Sequence, residues 1–189
     1  MMQRQPKALS RRAARCVGGA LIAATAWLGA GARAGDALLP ELEHRLARGN
    51  TDTVNTYLVK HWSNAMAPLG RRAAACELHA VSLTARLARS DNARAVQAHR
   101  EALRAASGGC PRFVLALATL PEVPTVCGSL SSWGVTQTAR ELRRRIAVID
   151  ADALLRGSPR GSTCRAAYVY ELENTRVVGR RGAPQRAAR

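Results

Sequence analysis

The sequence predicts a mainly α-helical domain of helical hairpins, closed by a C-terminal β-hairpin and braced by two disulfides. Three observations carry this expectation. Apolar residues recur at i, i+3, i+4 and i+7 through much of residues 37–153, the mark of amphipathic helices. Short polar connections such as Ser90-Asp91-Asn92 separate those runs. Four cysteines, Cys76, Cys110, Cys127 and Cys164, are spread through the same region behind an N-terminus that reads as an export signal.

That signal occupies residues 1–34. Arg4, Lys7, Arg11, Arg12 and Arg15 form a basic start without an acid. Val17 to Gly31 is apolar apart from Thr25, and is short for a membrane span. Ala32-Arg33-Ala34 then offers the small-x-small pattern of signal peptidase, so cleavage is expected after Ala34. Ser10-Arg11-Arg12 raises a twin-arginine route, although the residues that usually follow that pair are missing. Cys16 precedes the apolar run and falls with the signal. The expected mature chain, from Gly35, is of one-domain length and has no transmembrane span. An exported chain meets an oxidising compartment, periplasmic or extracellular, where an even count of four cysteines argues for two disulfides. No Cys-x-x-Cys occurs, so thioredoxin-like and c-type haem readings fall away and no cofactor is expected.

The elements follow in order. Ala37 to Arg48 is a helix with Leu38, Leu39, Leu42 and Leu46 on one side, ended by Gly49. Asn50 or Asp52 can cap the next, where Val54, Tyr57, Leu58, His61, Trp62 and Ala65 share a face; Pro68 and Gly70 are expected to break it. Arg71 to Arg89 is the longest helical pattern, with Cys76, Leu83 and Leu87 on one stripe. The turn at 90–92 leads into Ala93 to Ala106, with Val96, Leu103 and Ala106 inward. So short a turn implies an antiparallel hairpin. Folding back about residue 90 brings Cys110 near Cys76, which favours the pairs Cys76–Cys110 and Cys127–Cys164 among the three that four cysteines permit.

Pro111 to Leu120 suits a helix with proline at its start, although Phe113, Leu115 and Leu117 also alternate as a buried strand would; the helix is the favoured expectation. Pro121 and Pro124 bound an expected loop before a short turn from Val126 to Trp133. Thr138-Ala139-Arg140-Glu141 has the capping-box pattern and opens a helix with Leu142, Ile146, Ile149 and Ala153 on one face. Gly157 to Gly161 is expected as a loop. From Ala166 to Val178, Tyr168, Tyr170 and Leu172 alternate with Val169 and Glu171, and Glu173-Asn174 can turn, so a β-hairpin is expected; a helix from Arg165 to Arg176 competes with it. The single domain is thus expected over 35–178, with a disordered basic tail over 179–189.

The formal charge of +16 invites a nucleic-acid reading, but six of the positives lie in the signal and four more in the tail. Arginine dominates, with only Lys7 and Lys60 as lysines, and aromatic residues make up 4% of the chain, too few for a base-stacking platform. Composition therefore argues against nucleic acid and leaves attraction to anionic surfaces open.

No catalytic pattern stands out. Ser129, Ser131 and Ser132 form no nucleophile elbow. Cys76, His79 and His99 could in principle hold a metal, but a disulfide at Cys76 removes that. Asp150 and Asp152, two apart on a helix, point different ways. Trp62 and Trp133 read as core or core-edge residues. The densest charge run is Arg143-Arg144-Arg145. Arg140, Arg143 and Arg144 fall on the side opposite Leu142, Ile146 and Ile149, while Glu141 is assigned to Arg145. A solvated helix face accounts for this pattern, and so does a surface for an acidic partner. The sequence thus points to an exported helical domain binding another envelope or secreted protein through Arg140, Arg143 and Arg144. An envelope-directed hydrolase and a binder of anionic polymer are the alternatives.

Overall fold

A computed structural model describes residues 37–128 and 135–181, and its order starts with α1 (Leu38–Arg48), which buries Leu39 and Leu42. The proposed signal, Ser129 to Trp133 and the end of the basic tail lie outside the described residues. Asn50 opens α2 (Thr51–Lys60): its Oδ1 accepts the Thr53 N–H at 2.9 Å. Asp52, the other candidate cap, instead accepts from the Ser90 hydroxyl at 2.6 Å and the Asp91 N–H at 3.0 Å, tying α2 to the turn at 90–92.

Pro68 and Gly70 do not break the chain's helical course. One π turn, Trp62–Met66, carries α2 into α3 (Ala67–Ala74), which contains both. The Ala67 N–H bonds back to the Trp62 carbonyl, five residues earlier. This wider turn, with Pro68 in the first turn of α3, accommodates a residue that lacks an N–H and whose ring would clash deeper inside a regular helix. The turn also leaves Trp62 40% exposed, where a core or core-edge place was expected.

The long run from Arg71 to Arg89 is two helices. α3 ends where the Glu77 N–H bonds to the Arg72 carbonyl at 3.1 Å and the Cys76 N–H to the Ala73 carbonyl at 2.9 Å, a Schellman ending. Cys76 takes the left-handed position there, φ 63°, which usually belongs to glycine. α4 (Leu78–Leu87) follows, and Asn92, accepting the Ala95 N–H, caps α5 (Ala93–Ala106) to complete the antiparallel hairpin. Apolar periodicity runs through the break because it does not register a cross-link. Cys76 turns to meet Cys110, with Cα atoms 5.9 Å apart, and Gly109 leaves space: a Cβ there would come within 2.8 Å of the Cys76 Sγ.

The proline-rich stretch is helical too. α6 (Pro111–Leu117) leads to a 3-10 turn, Leu120–Glu122, closed by a capping box between Thr119 and Glu122, and then to α7 (Val123–Cys127). Thr138 lies inside α8 (Val135–Ala151) and does not open it. Asp152 accepts from the Leu154 and Leu155 N–H groups to start α9 (Ala153–Arg156), so Ala153 leaves the α8 face and is exposed. The expected loop at 157–161 shrinks to two residues, because α10 (Pro159–Arg181) starts at Pro159. The expected domain end at Val178 falls within α10.

The C-terminal β-hairpin is not formed; its residues belong to α10, and the described residues contain no strand. Gly161, Cys164, Tyr168 and Leu172 lie on one buried stripe at helical spacing, while Tyr170 is 64% exposed. Alternation over Tyr168, Tyr170 and Leu172 was therefore half of a period-four pattern. Cys127 meets Cys164 with Cα atoms 5.3 Å apart, anchoring α10 to α7. Both expected disulfide pairs are thus present. α3, α4 and α5 pack together at one end, α7, α8 and α10 at the other, and α5 reaches α7 between them. One continuous core runs from Leu39 to Leu172. Among the described residues, no helix is long and apolar enough to cross a membrane, and the two disulfides fit an oxidising compartment.

Candidate functional site

The three arginines singled out by sequence share α8 but not one environment. Arg140 and Arg143 are exposed and make no ion pair among the described residues. Arg144 does have a neutraliser, contrary to expectation: it forms a two-bonded ion pair with Glu141 and donates to the Gly108 carbonyl at 3.1 Å. It therefore fastens α8 to the end of α5 as well as facing solvent.

Beneath this face lies a buried polar cluster centred on Arg145, 3% exposed. Its Nε donates to Glu141 at 2.8 Å. Its Nη1 donates to the Arg104 carbonyl at 2.6 Å and lies 3.1 Å from the Ser107 Oγ and 3.4 Å from the Tyr168 hydroxyl. Ser107 and Tyr168 also bond to each other at 2.9 Å, and the Ser107 hydroxyl lies 3.1 Å from the Val126 carbonyl. One guanidinium thereby satisfies the Arg104 carbonyl in the last turn of α5 and joins α8 to α10 directly and to α7 through Ser107. Hydrogen bonds from Arg144 and then Arg145 hold the Glu141 carboxyl down at about 2, so it stays ionised. Gly108 makes room for the two arginines: a Cβ there would lie 2.7 Å from the Arg145 Nη2.

Sequence reasoning paired Glu141 with Arg145 but missed the burial. The signal was available: Arg145 sits three residues after Leu142 and four before Ile149, on the apolar stripe and not opposite it.

A second buried pair joins α2 to α5. The Asn55 Nδ2 donates to the Leu87 carbonyl at 2.8 Å, leaving Oδ1 to accept from the His99 Nε2 at 2.8 Å. Burial pushes the His99 imidazole down to about 4, so it is neutral at ordinary pH. His99 therefore stitches helices, and Cys76 is taken up by its disulfide. His79 meets Glu43 at 2.7 Å on the open surface, each about half exposed, and His61 packs on Tyr57 with ring centroids 4.4 Å apart. No group of three or more metal-ligating side chains occurs among the described residues. Asp150 and Asp152 diverge as expected: one pairs with Arg165, the other with Arg112.

Comparisons with protein families, with curated proteins and with solved structures found no match.

Proposed function

We propose that the protein is exported, loses residues 1–34, and acts in the periplasm or outside the cell as a helical domain that binds another protein. The observation that carries this reading is the exposed pair Arg140 and Arg143, one turn apart on α8 and without an ion pair among the described residues. The helix beneath them is fixed by the Arg145 cluster and by Arg144, so the pair is presented on rigid backbone. An arginine fork on such a helix can grip a carboxylate through two hydrogen bonds, and the ordering cost of the backbone that carries it is met before the partner arrives. The partner surface is correspondingly acidic.

The test uses proteins retained by the wild-type chain from its own envelope at low salt, identified by mass spectrometry. Arg140→Ser with Arg143→Ser is expected to weaken the retained partner by about tenfold and to slow association, with an unchanged thermal midpoint. Arg144 is left alone because its substitution would also loosen α8. Equal retention by the folded double variant would return both arginines to an ordinary solvated face.

A further inference from the structure

A second surface identifies the shape of partner that this domain takes; it rests on the protein-binding reading above. An open groove of about 510 Å³ lies between α6 and the corner where α9 meets α10. Leu115 and Leu155 are buried and form its floor, while Leu120 and Leu154 stand 47% and 70% exposed at its sides. Leu154 is the most exposed large apolar side chain among the described residues. Single exposed leucines are common, but two flanking a shared apolar floor form a contiguous patch, the kind that marks a contact site.

The groove is built on fixed backbone. Asp152 caps α9 and at the same time pairs with Arg112 of α6, so one carboxylate sets the two walls relative to each other. Gly161 is packed against the Leu155 carbonyl so closely that any side chain there would collide with it, which lets α10 start directly beside the floor. A preformed groove spares the partner the cost of ordering it. Its rim is basic. Arg160 makes no ion pair among the described residues, and Arg112 keeps Nη1 after spending Nε and Nη2 on Asp152.

We propose that this groove seats an amphipathic helix of a partner protein, its apolar ridge on Leu120 and Leu154 and its acidic flank on Arg112 and Arg160. The groove is open rather than enclosed, unlike the sites that bury most of a small molecule. The described residues offer no strand edge for an extended peptide to join, whereas an apolar trough between helices suits helix-in-groove docking. A second copy docked groove to groove about a two-fold axis would set Arg112 and Arg160 against their own like charges. The chain's own ends fit no better: residues 1–36 hold six basic residues and one acid, and residues 182–189 hold Arg186 and Arg189 and no acid.

The probe is a synthetic helical peptide with leucines at i, i+3, i+4 and i+7 and glutamates beside them, titrated into the full protein with both disulfides intact. Amide shifts and fluorescence anisotropy report binding. The expected result is saturable binding that perturbs residues 112–120 and 154–160, falls about tenfold with either Leu154→Ser or Arg160→Glu, and is lost when lysine replaces glutamate in the peptide. Both substitutions are at exposed positions, so folding is retained. No binding, or equal binding of a scrambled peptide of the same composition, overturns the proposal. Leu154-dependent binding to phosphatidylglycerol vesicles without peptide binding overturns it in favour of a membrane contact. Self-association abolished by Leu154→Ser overturns it in favour of a dimer. Arg140 and Arg143 are untouched here, so the groove and the α8 face can fail separately.

Discussion

Arg145→Ala is expected to destabilise the protein by about 3–5 kcal/mol, measured by urea unfolding with both disulfides intact. The reason is geometric. The guanidinium is buried and bonds to Glu141 on its own helix, to the Arg104 carbonyl and Ser107 at the end of α5, and to Tyr168 of α10. Alanine removes these bonds and leaves a cavity where α5, α7, α8 and α10 meet. Arg145→Met separates the two contributions, because it refills most of the space. Glu141 then keeps Arg144, and Ser107 keeps Tyr168 and the Val126 carbonyl, so a loss of only about 1–2 kcal/mol is expected. An alanine variant that loses under about 1 kcal/mol would mean that the cluster contributes little to holding the helices together.

The two disulfides should differ in what their removal costs. They close loops of similar length, with sequence separations of 34 and 37, so the chain-entropy contribution is about 4 kcal/mol for each. Cys127 and Cys164 are fully buried, and Cys127→Ala with Cys164→Ala should lose that amount or more. Cys76 instead holds a left-handed backbone angle that costs a non-glycine residue about 1–2 kcal/mol. Cys76→Gly with Cys110→Ala relieves this while keeping the Schellman ending, so it should be the milder pair by about that margin. Chemical unfolding of the two double variants against wild type gives the difference directly. An equal or larger loss for the Cys76 pair would show that the bridge, and not the glycine-like turn, holds the α3–α4 corner.

Much of the architecture was legible because helices here are amphipathic and their connections short. The bounds of α5 and both cysteine pairings follow from local pattern plus one folding-back argument, and Asn50, one of two candidate caps, takes that place. The failures share a cause, which is tertiary placement overriding a local signal. Pro68 is a breaker in isolation, yet the preceding π turn shifts the register around it. Cys76 sits in an unbroken apolar pattern, yet its partner across the fold forces a corner. Tyr170 completed an apparent strand, but it is the exposed member, and Tyr168 is the one that reaches Ser107 and Arg145.

The α8 face was legible as charge but not as structure. Counting arginines opposite the leucine stripe found Arg140, Arg143 and Arg144. It could not separate Arg144, which Glu141 and the Gly108 carbonyl engage, from the two that make no ion pair among the described residues. Nor could sequence disclose the groove at Leu120 and Leu154. Their exposure is set by how α6 and α9 meet, across a separation of more than thirty residues.

The proposed interaction role depends on the chain reaching an oxidising compartment, and one measurement decides that. The intact mass of protein recovered from its own cells, taken without reduction, should correspond to residues 35–189. Two closed bridges should make it four hydrogens lighter than the reduced form. A mass that retains Arg11 and Arg12, or that shows free thiols at Cys76, Cys110, Cys127 or Cys164, would contradict export of a disulfide-braced domain.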